Sequence, residues 1–97
     1  FVPSLINMGY VLYNTQKYAE SRKCFNRIIE LEPDNLEAYL NLSATYVAWG
    51  MPDQAITYAK RALLISPDDA RAKNNLSLAY LEKGFYQELQ QANPDLK

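Results

Sequence analysis

Asparagines recur at a constant interval along this chain, and their side chains suit peptide binding. Asn7, Asn41 and Asn75 are separated from one another by 34 residues. A carboxamide offers both a hydrogen-bond donor and an acceptor, which match the N–H and C=O groups of an extended peptide backbone. Side chains of this kind along one surface can bind a peptide backbone without recognising the peptide's side chains. The alternative interpretation is that asparagine is simply a common residue at this position and stays hydrated.

Groups that perform catalysis are scarce. The chain has no histidine and a single cysteine, Cys24, so it lacks the commonest general base, an internal disulfide and a cysteine-based zinc site. Cys24 is interpreted as a packed thiol. Glu30 and Glu32 are two residues apart in a helical segment and face different directions, so they cannot share one substrate or metal ion. We therefore predict no catalytic residue, no cofactor, no metal site and no enzymatic activity.

Charge and hydropathy argue against two further kinds of partner. Ten basic residues nearly balance eleven acidic ones, and the net charge is −1, so nothing draws the chain to nucleic acid or to an anionic membrane. The longest apolar runs, such as residues 62–65, are far shorter than the roughly 20 residues that span a bilayer, so no membrane insertion is expected. A cytoplasmic location is the default for a chain with one thiol.

The interval of the asparagines also relates other residues, and it divides the chain into units. Pairs of identical residues at this spacing are Pro33 and Pro67, Leu42 and Leu76, Tyr46 and Tyr80, and Gly50 and Gly84. The units are residues 2–35, residues 36–69 and a truncated third unit at 70–97, within a single domain that spans residues 1–97. Self-similarity at such a period is typical of repeat architectures.

Each unit is predicted to contain two helices. Apolar residues of the second unit recur at intervals of three and four from Tyr39 to Trp49, until Gly50 and Pro52 interrupt the pattern. Glycine suits a helix end and proline a first helical turn. The predicted helices span residues 3–15, 18–31, 36–49, 52–65 and 70–83, with a short last helix at 86–92. No segment alternates with period two over a useful length, so no sheet is predicted.

The residue types at these spacings resemble the tetratricopeptide repeat family, whose period is about 34 residues. In the second unit the family pattern is carried by Tyr39, Leu42, Ser43, Tyr46, Ala55, Ala62 and Pro67. In the first unit it is carried by Leu5, Met8, Gly9, Leu12, Ser21, Phe25 and Pro33. The third unit departs at Asn93, where an aromatic residue is expected, and at Pro94, which ends the last helix early. The resemblance implies an all-α fold, an α-α superhelix (solenoid) of antiparallel helix hairpins with about two and a half repeats.

The resemblance further implies that the first helix of each hairpin lines a concave groove. The residues of this sequence predicted to form a peptide-binding groove are Asn7, Tyr10, Asn14, Asn41, Ala44, Arg71, Asn74, Asn75 and Leu78. We therefore predict a non-catalytic protein–protein interaction scaffold that binds a peptide segment of a partner in this groove. On this interpretation, alanine at Asn41 or Asn75 weakens ligand binding without lowering thermal stability.

Other interpretations are open from the sequence. Apolar groove residues could instead receive an amphipathic helix, or pack between repeats. The family's clamp for a terminal carboxylate is not expected, because Ile6 and Tyr10 stand where lysine and asparagine are needed. The chain could be a homo-oligomer, because its first helix has no polar cap over Val2 and Leu5. It could also be the docking arm of a larger enzyme such as a glycosyltransferase, since Phe1 is not an initiator methionine and the chain is interpreted as an excised piece.

Overall fold

The computed structural model describes residues 1–92, which form five α-helices and no strand. The helices are α1 (Val2–Asn14), α2 (Tyr18–Leu31), α3 (Leu36–Ala48), α4 (Pro52–Ile65) and α5 (Ala70–Ala92). The pairs α1–α2 and α3–α4 form two hairpins, α2 packs on α3, and α5 packs against both α3 and α4. The molecule measures 47 × 29 × 19 Å. This elongated stack is the all-α helical solenoid that the repeat period predicts.

Local side-chain chemistry sets where the helices begin. Asn35 caps α3, because its Oδ1 accepts a hydrogen bond from the backbone N–H of Ala38 at 3.0 Å. Asp69 caps α5 in the same way, because its Oδ1 accepts from the backbone N–H of Arg71 at 2.9 Å. Such caps satisfy N–H groups that have no partner within the helix. The first four predicted helices agree with the observed ones to within one residue at each end.

The turns inside the two hairpins use left-handed backbone at equivalent positions of the repeat. Gln16 has a φ of 62° and Gly50 has a φ of 76°. These residues are 34 positions apart, so each hairpin reverses direction at the same point of its unit. Glycine adopts this conformation without the steric cost that a side chain brings.

Small residues let the helices of each hairpin approach closely around the core. Ser21 Oγ donates a hydrogen bond to the backbone oxygen of Gly9 at 2.8 Å, and Ser43 Oγ donates to that of Ala55 at 3.0 Å. Phe25 fills the space beside Gly9 and is almost completely buried. Both hairpins therefore have a small residue, with a hydrogen bond across it, where their two helices come close.

The prediction of two separate helices in the third unit is wrong. Residues 70–83 and 86–92 belong to one continuous helix, α5, and Gly84 lies inside it. In the second unit the turn is followed by Pro52, which begins α4. The third unit has Tyr86 at the equivalent position, as the first unit has Tyr18, where α2 begins without a proline. The missing proline therefore permits α5 to continue but does not by itself require it.

A bulky residue at the close-contact position also explains why the third unit does not fold back. Leu89 is the repeat equivalent of Ser21 and Ala55, where the first two hairpins need a small residue. A leucine there would overpack a third hairpin. Because α5 stays straight, its outer face is open, and the Leu81 side chain is 71% exposed. The departures from the family pattern at Asn93 and Pro94 lie outside the described residues.

Candidate functional site

A groove crosses the first helices of the repeats, between α1, α3 and α5. Its volume is about 260 Å³. The lining residues are Tyr10 from α1, Glu37, Leu40, Asn41 and Ala44 from α3, and Arg71, Asn74 and Asn75 from α5. A smaller cavity of about 90 Å³ adjoins the groove and extends it towards Tyr13 and the buried ring of Phe25. The fold therefore brings side chains from three helices, far apart in sequence, to one concave surface.

Most of the residues predicted from the sequence line this groove. Those that do are Tyr10, Asn41, Ala44, Arg71, Asn74 and Asn75. Asn7 and Asn14 are exposed on α1, and Leu78 is exposed on α5, all outside the lining. The row of asparagines is thus incomplete, since the groove contains Asn41 and Asn75 but not Asn7.

Glu37 is a groove residue that the sequence analysis did not identify. Its Oε1 lies 2.8 Å from Arg71 Nη1, so it joins α3 to α5 across the groove. Glu37 and Arg71 are 34 residues apart and occupy the same position of consecutive repeats. The opposite charges at equivalent positions were the signal that could have identified this pair.

Arg71 has a second carboxylate partner at the start of its own helix. Its Nη2 lies 3.1 Å from Asp69 Oδ2. The hydrogen bond with Asp69, and then that with Glu37, raises the pKa of the Arg71 guanidinium above its usual value. The hydrogen bond from Arg71 is the main reason why the pKa of the Asp69 carboxyl is lowered. One cation is therefore shared between two anions, of which Glu37 lines the groove together with Arg71.

The groove asparagines differ in how far their carboxamides are already engaged. Asn75 Nδ2 donates a hydrogen bond to the backbone oxygen of Leu40 at 3.2 Å, which ties α5 to α3. The side chains of Asn41 and Asn74 make no hydrogen bond to any residue in the described part of the chain. Asn41 and Asn74 thus offer complete donor and acceptor sets to a ligand, whereas Asn75 has one donor in use.

The bond from Asn75 changes the expectation for its alanine variant. Asn75→Ala removes the donor to the Leu40 oxygen, so we expect the free energy of unfolding to fall by about 0.5–1.5 kcal/mol. Asn74→Ala, one residue away on the same helix, is the matched control and should leave stability within about 0.5 kcal/mol of wild type. Urea denaturation followed by circular dichroism measures both variants. Equal stability of Asn75→Ala and wild type would mean that the bond contributes nothing to holding α5 in place.

In the part of the chain that the structure describes, the groove is not lined by the commonest nucleophiles. Its lining contains no cysteine or serine. Cys24 is half-buried on α2, and burial, together with the carboxylate of Glu20, raises the pKa of its thiol. Within residues 1–92, no group of three or more His, Cys, Asp or Glu side chains is placed to hold a metal ion. No helix of this same region is both long and apolar enough to cross a membrane.

A larger depression lies outside the groove and holds none of the recurring polar residues. It has a volume of about 610 Å³ and lies between the beginning of α4 and the last turns of α5. Lys83 Nζ and Asp53 Oδ1 are 2.9 Å apart at its edge. The depression exists because α5 continues past Gly84 instead of folding back, so it reflects helix geometry and not a set of converging ligand groups.

Comparison with protein families agrees with the architecture. A family model described as "Tetratricopeptide repeat" matches residues 2–68. A second model with the same description matches residues 45–92. Together these matches extend over both hairpins and α5.

Curated relatives and a solved structure are similar to the chain over most of its length. The tetratricopeptide repeat-containing protein trd-1 of Caenorhabditis elegans is 30% identical over 86 residues, which are 89% of this chain and 11% of that protein. The protein STIP1 homolog of Dictyostelium discoideum is also 30% identical over 86 residues, again 89% of this chain but 15% of that protein. The chain therefore spans only a small part of these relatives. The Yersinia enterocolitica type III secretion translocator chaperone SycD has the same fold, with a TM-score of 0.71 at 22% identity over 97% of this chain and 79% of SycD.

Proposed function

Because the chain belongs to the tetratricopeptide repeat family, we propose that it is a non-catalytic protein-binding module that holds a segment of a partner protein in the groove between α1, α3 and α5. The observation that carries this proposal is the pair of unengaged carboxamides on Asn41 and Asn74, which share one concave surface with Tyr10. A peptide backbone in the groove can donate to and accept from these groups. The small Ala44 side chain leaves room for it beside Asn41.

Asn41 is the residue through which the groove can be tested. We expect Asn41→Ala to weaken binding of a groove ligand by about 0.5–1.5 kcal/mol, because it removes a donor and an acceptor. The probe is a synthetic peptide selected from a random-peptide phage library on the immobilised wild-type chain. Its affinity for wild type and variant is measured by isothermal titration calorimetry, and thermal denaturation checks that the variant is folded.

Asn7 provides the matched control for that experiment. It is the repeat equivalent of Asn41 but lies outside the groove lining. Asn7→Ala should therefore bind the selected peptide as wild type does. If Asn41→Ala keeps full affinity, the groove is not the binding surface; if both variants lose affinity equally, the ligand follows the repeated asparagine row and not the groove.

Self-association is a second candidate, favoured by the open outer face of α5. Leu81 and Phe85 lie on this face, and both side chains are more than half exposed. Val2 and Leu5, by contrast, already pack against the core, so the first helix is the weaker candidate for a contact between copies.

The repeats can also serve as the docking arm of a larger protein, including an enzyme such as a glycosyltransferase, since the chain corresponds to 11% and 15% of two curated relatives.

A further inference from the structure

Negative charges outnumber positive charges around the groove. Arg71 is the only cation in the lining, and it pairs with Glu37 at 2.8 Å and with Asp69 at 3.1 Å. Two carboxylates thus share one guanidinium, which leaves a negative charge in excess. Three of the N–H donors of Arg71 are already used by these partners.

A further carboxylate lies on the groove side of α5. Glu82 follows Arg71 and Asn75 on one helix face, at the spacing that places side chains above one another. It lies about 16 Å beyond Arg71 along the helix axis. Its Oε1 is buried and has no hydrogen-bond partner among residues 1–92, and burial raises the pKa of its carboxyl. A ligand cation on this face would give the Glu82 Oε1 atom an electrostatic partner.

Cations elsewhere in the described structure do not compensate for these carboxylates. Helix α1 carries no charged residue. Lys73 and Lys83 of α5 are directed to Asp68 at 3.7 Å and to Asp53 at 2.9 Å. The remaining cations within the helices lie on α2 and α4, the second helices of the hairpins, and are Arg22, Lys23, Arg27, Lys60 and Arg61. Within the described residues, the carboxylates of Glu37 and Glu82 therefore outnumber the one cation, Arg71, on the groove side, whereas α2 and α4 each carry one more cation than carboxylate.

We propose that the groove prefers a peptide segment that carries a lysine or arginine over an acidic segment. This inference rests on the proposed function of the groove. The basic side chain is placed against the Glu37 carboxylate, which lines the groove, while the carboxamides of Asn41 and Asn74 hold the peptide backbone. The Asp69 carboxylate lies outside the lining and contributes by engaging Arg71. A carboxylate in the same place would face the like charge of Glu37 and would have to draw Arg71 away from its partners.

The expected size of the preference for basic peptides depends on how exposed the Glu37 and Arg71 side chains are. The side chain of Glu37 is 49% exposed and that of Arg71 is 58% exposed, so solvent screens much of the interaction. A charge pair of this kind changes affinity by about two- to five-fold. Because it is electrostatic, the preference should shrink as ionic strength rises.

The experiment selects a random-peptide phage library on the wild-type chain and on two variants, Glu37→Gln and Glu30→Gln. Glu37→Gln removes the groove charge and keeps the shape of the side chain. Glu30→Gln makes the same change in net charge on α2, where Glu30 pairs with Arg27. We expect lysine and arginine to be enriched on wild type and on Glu30→Gln, and this enrichment to be lost on Glu37→Gln. The best wild-type peptide should bind Glu37→Gln about two- to five-fold more weakly at low salt.

The outcomes separate this inference from the proposed function. If no peptide is enriched on wild type, the proposed function itself fails. If peptides are enriched without an excess of basic residues, or if Glu30→Gln and Glu37→Gln lose the excess equally, the groove binds peptides but its charge does not select them. Thermal denaturation of Glu37→Gln shows whether losing the bond to Arg71 has unfolded the variant, and Glu37→Asp provides a charged comparison at the same position.

Discussion

Replacing Phe25 with alanine is expected to lower the free energy of unfolding by about 3–5 kcal/mol. The Phe25 side chain is 1% exposed, and its ring occupies the space that Gly9 leaves open on α1. A Cβ built on Gly9 would come within 2.6 Å of the ring, so ring and glycine fit each other closely. Alanine would leave a cavity that the helices cannot close, because the bond from Ser21 to the Gly9 oxygen fixes their separation.

Phe85→Ala is the control for this prediction, since the Phe85 side chain is 57% exposed on α5. It should change stability by less than about 0.5 kcal/mol. Urea denaturation measured by circular dichroism compares the two variants. Because repeat units are stabilised mainly by their neighbours, hydrogen exchange of Phe25→Ala should show α1 and α2 losing protection before α3 and α4. Equal denaturation midpoints for the two variants would contradict the packing described for the first hairpin.

The repeat period was enough to predict the architecture, because each residue type in it has one physical task. A small residue such as Ser43 or Ala55 allows close approach of two helices, and a large residue such as Tyr46 fills the space beside them. These tasks recur with the helix spacing, so the first four helices could be predicted from a single chain. The groove side, with Arg71 and the asparagines, was implied by the resemblance to the tetratricopeptide repeat family.

Interactions between neighbouring repeats could not be predicted from the 34-residue period. The pairing of Arg71 with Glu37, and the bond from Asn75 to the Leu40 oxygen, both join α5 to α3. Their distances depend on how closely one repeat stacks on the next, which no sequence period specifies. For this reason the sequence predicted only a ligand-binding role for Asn75. The structure shows that Asn75 also connects α5 to α3 by a hydrogen bond.

The predicted turn at Gly84 was wrong for a different reason. The repeat register equates Gly84 with Gly50 and so predicts a turn at both, although glycine alone only permits a turn. After the turn at Gly50, Ala55 is small enough to pack against Ser43, as Ser21 packs against Gly9 after the turn at Gln16. After Gly84 the equivalent residue is Leu89, which is too large for this contact, so the chain keeps the hydrogen bonds of a continuous helix.

This difference predicts that two substitutions of the same type act in opposite directions. Gly50→Ala is expected to cost about 1–2 kcal/mol, because it forces a side chain into a left-handed conformation. The φ of Gly50 is 76°, and an added Cβ would also lie 3.2 Å from Tyr86 Oη. Gly84→Ala is expected to stabilise the chain by about 0.5–1 kcal/mol, because alanine favours a helix interior over glycine. No heavy atom lies within 4 Å of a Cβ at Gly84, so nothing offsets this gain.

Urea denaturation of both variants against wild type measures these effects, and the sign at Gly84 is the informative result. If the third unit turned at Gly84 as the second does at Gly50, alanine would be destabilising at both positions. A stabilised Gly84→Ala with unchanged helix content therefore means that α5 is continuous in solution and that its outer face, with Leu81 and Phe85, is open. A destabilised Gly84→Ala would instead mean that the chain folds back there, and would remove the surface on which self-association depends.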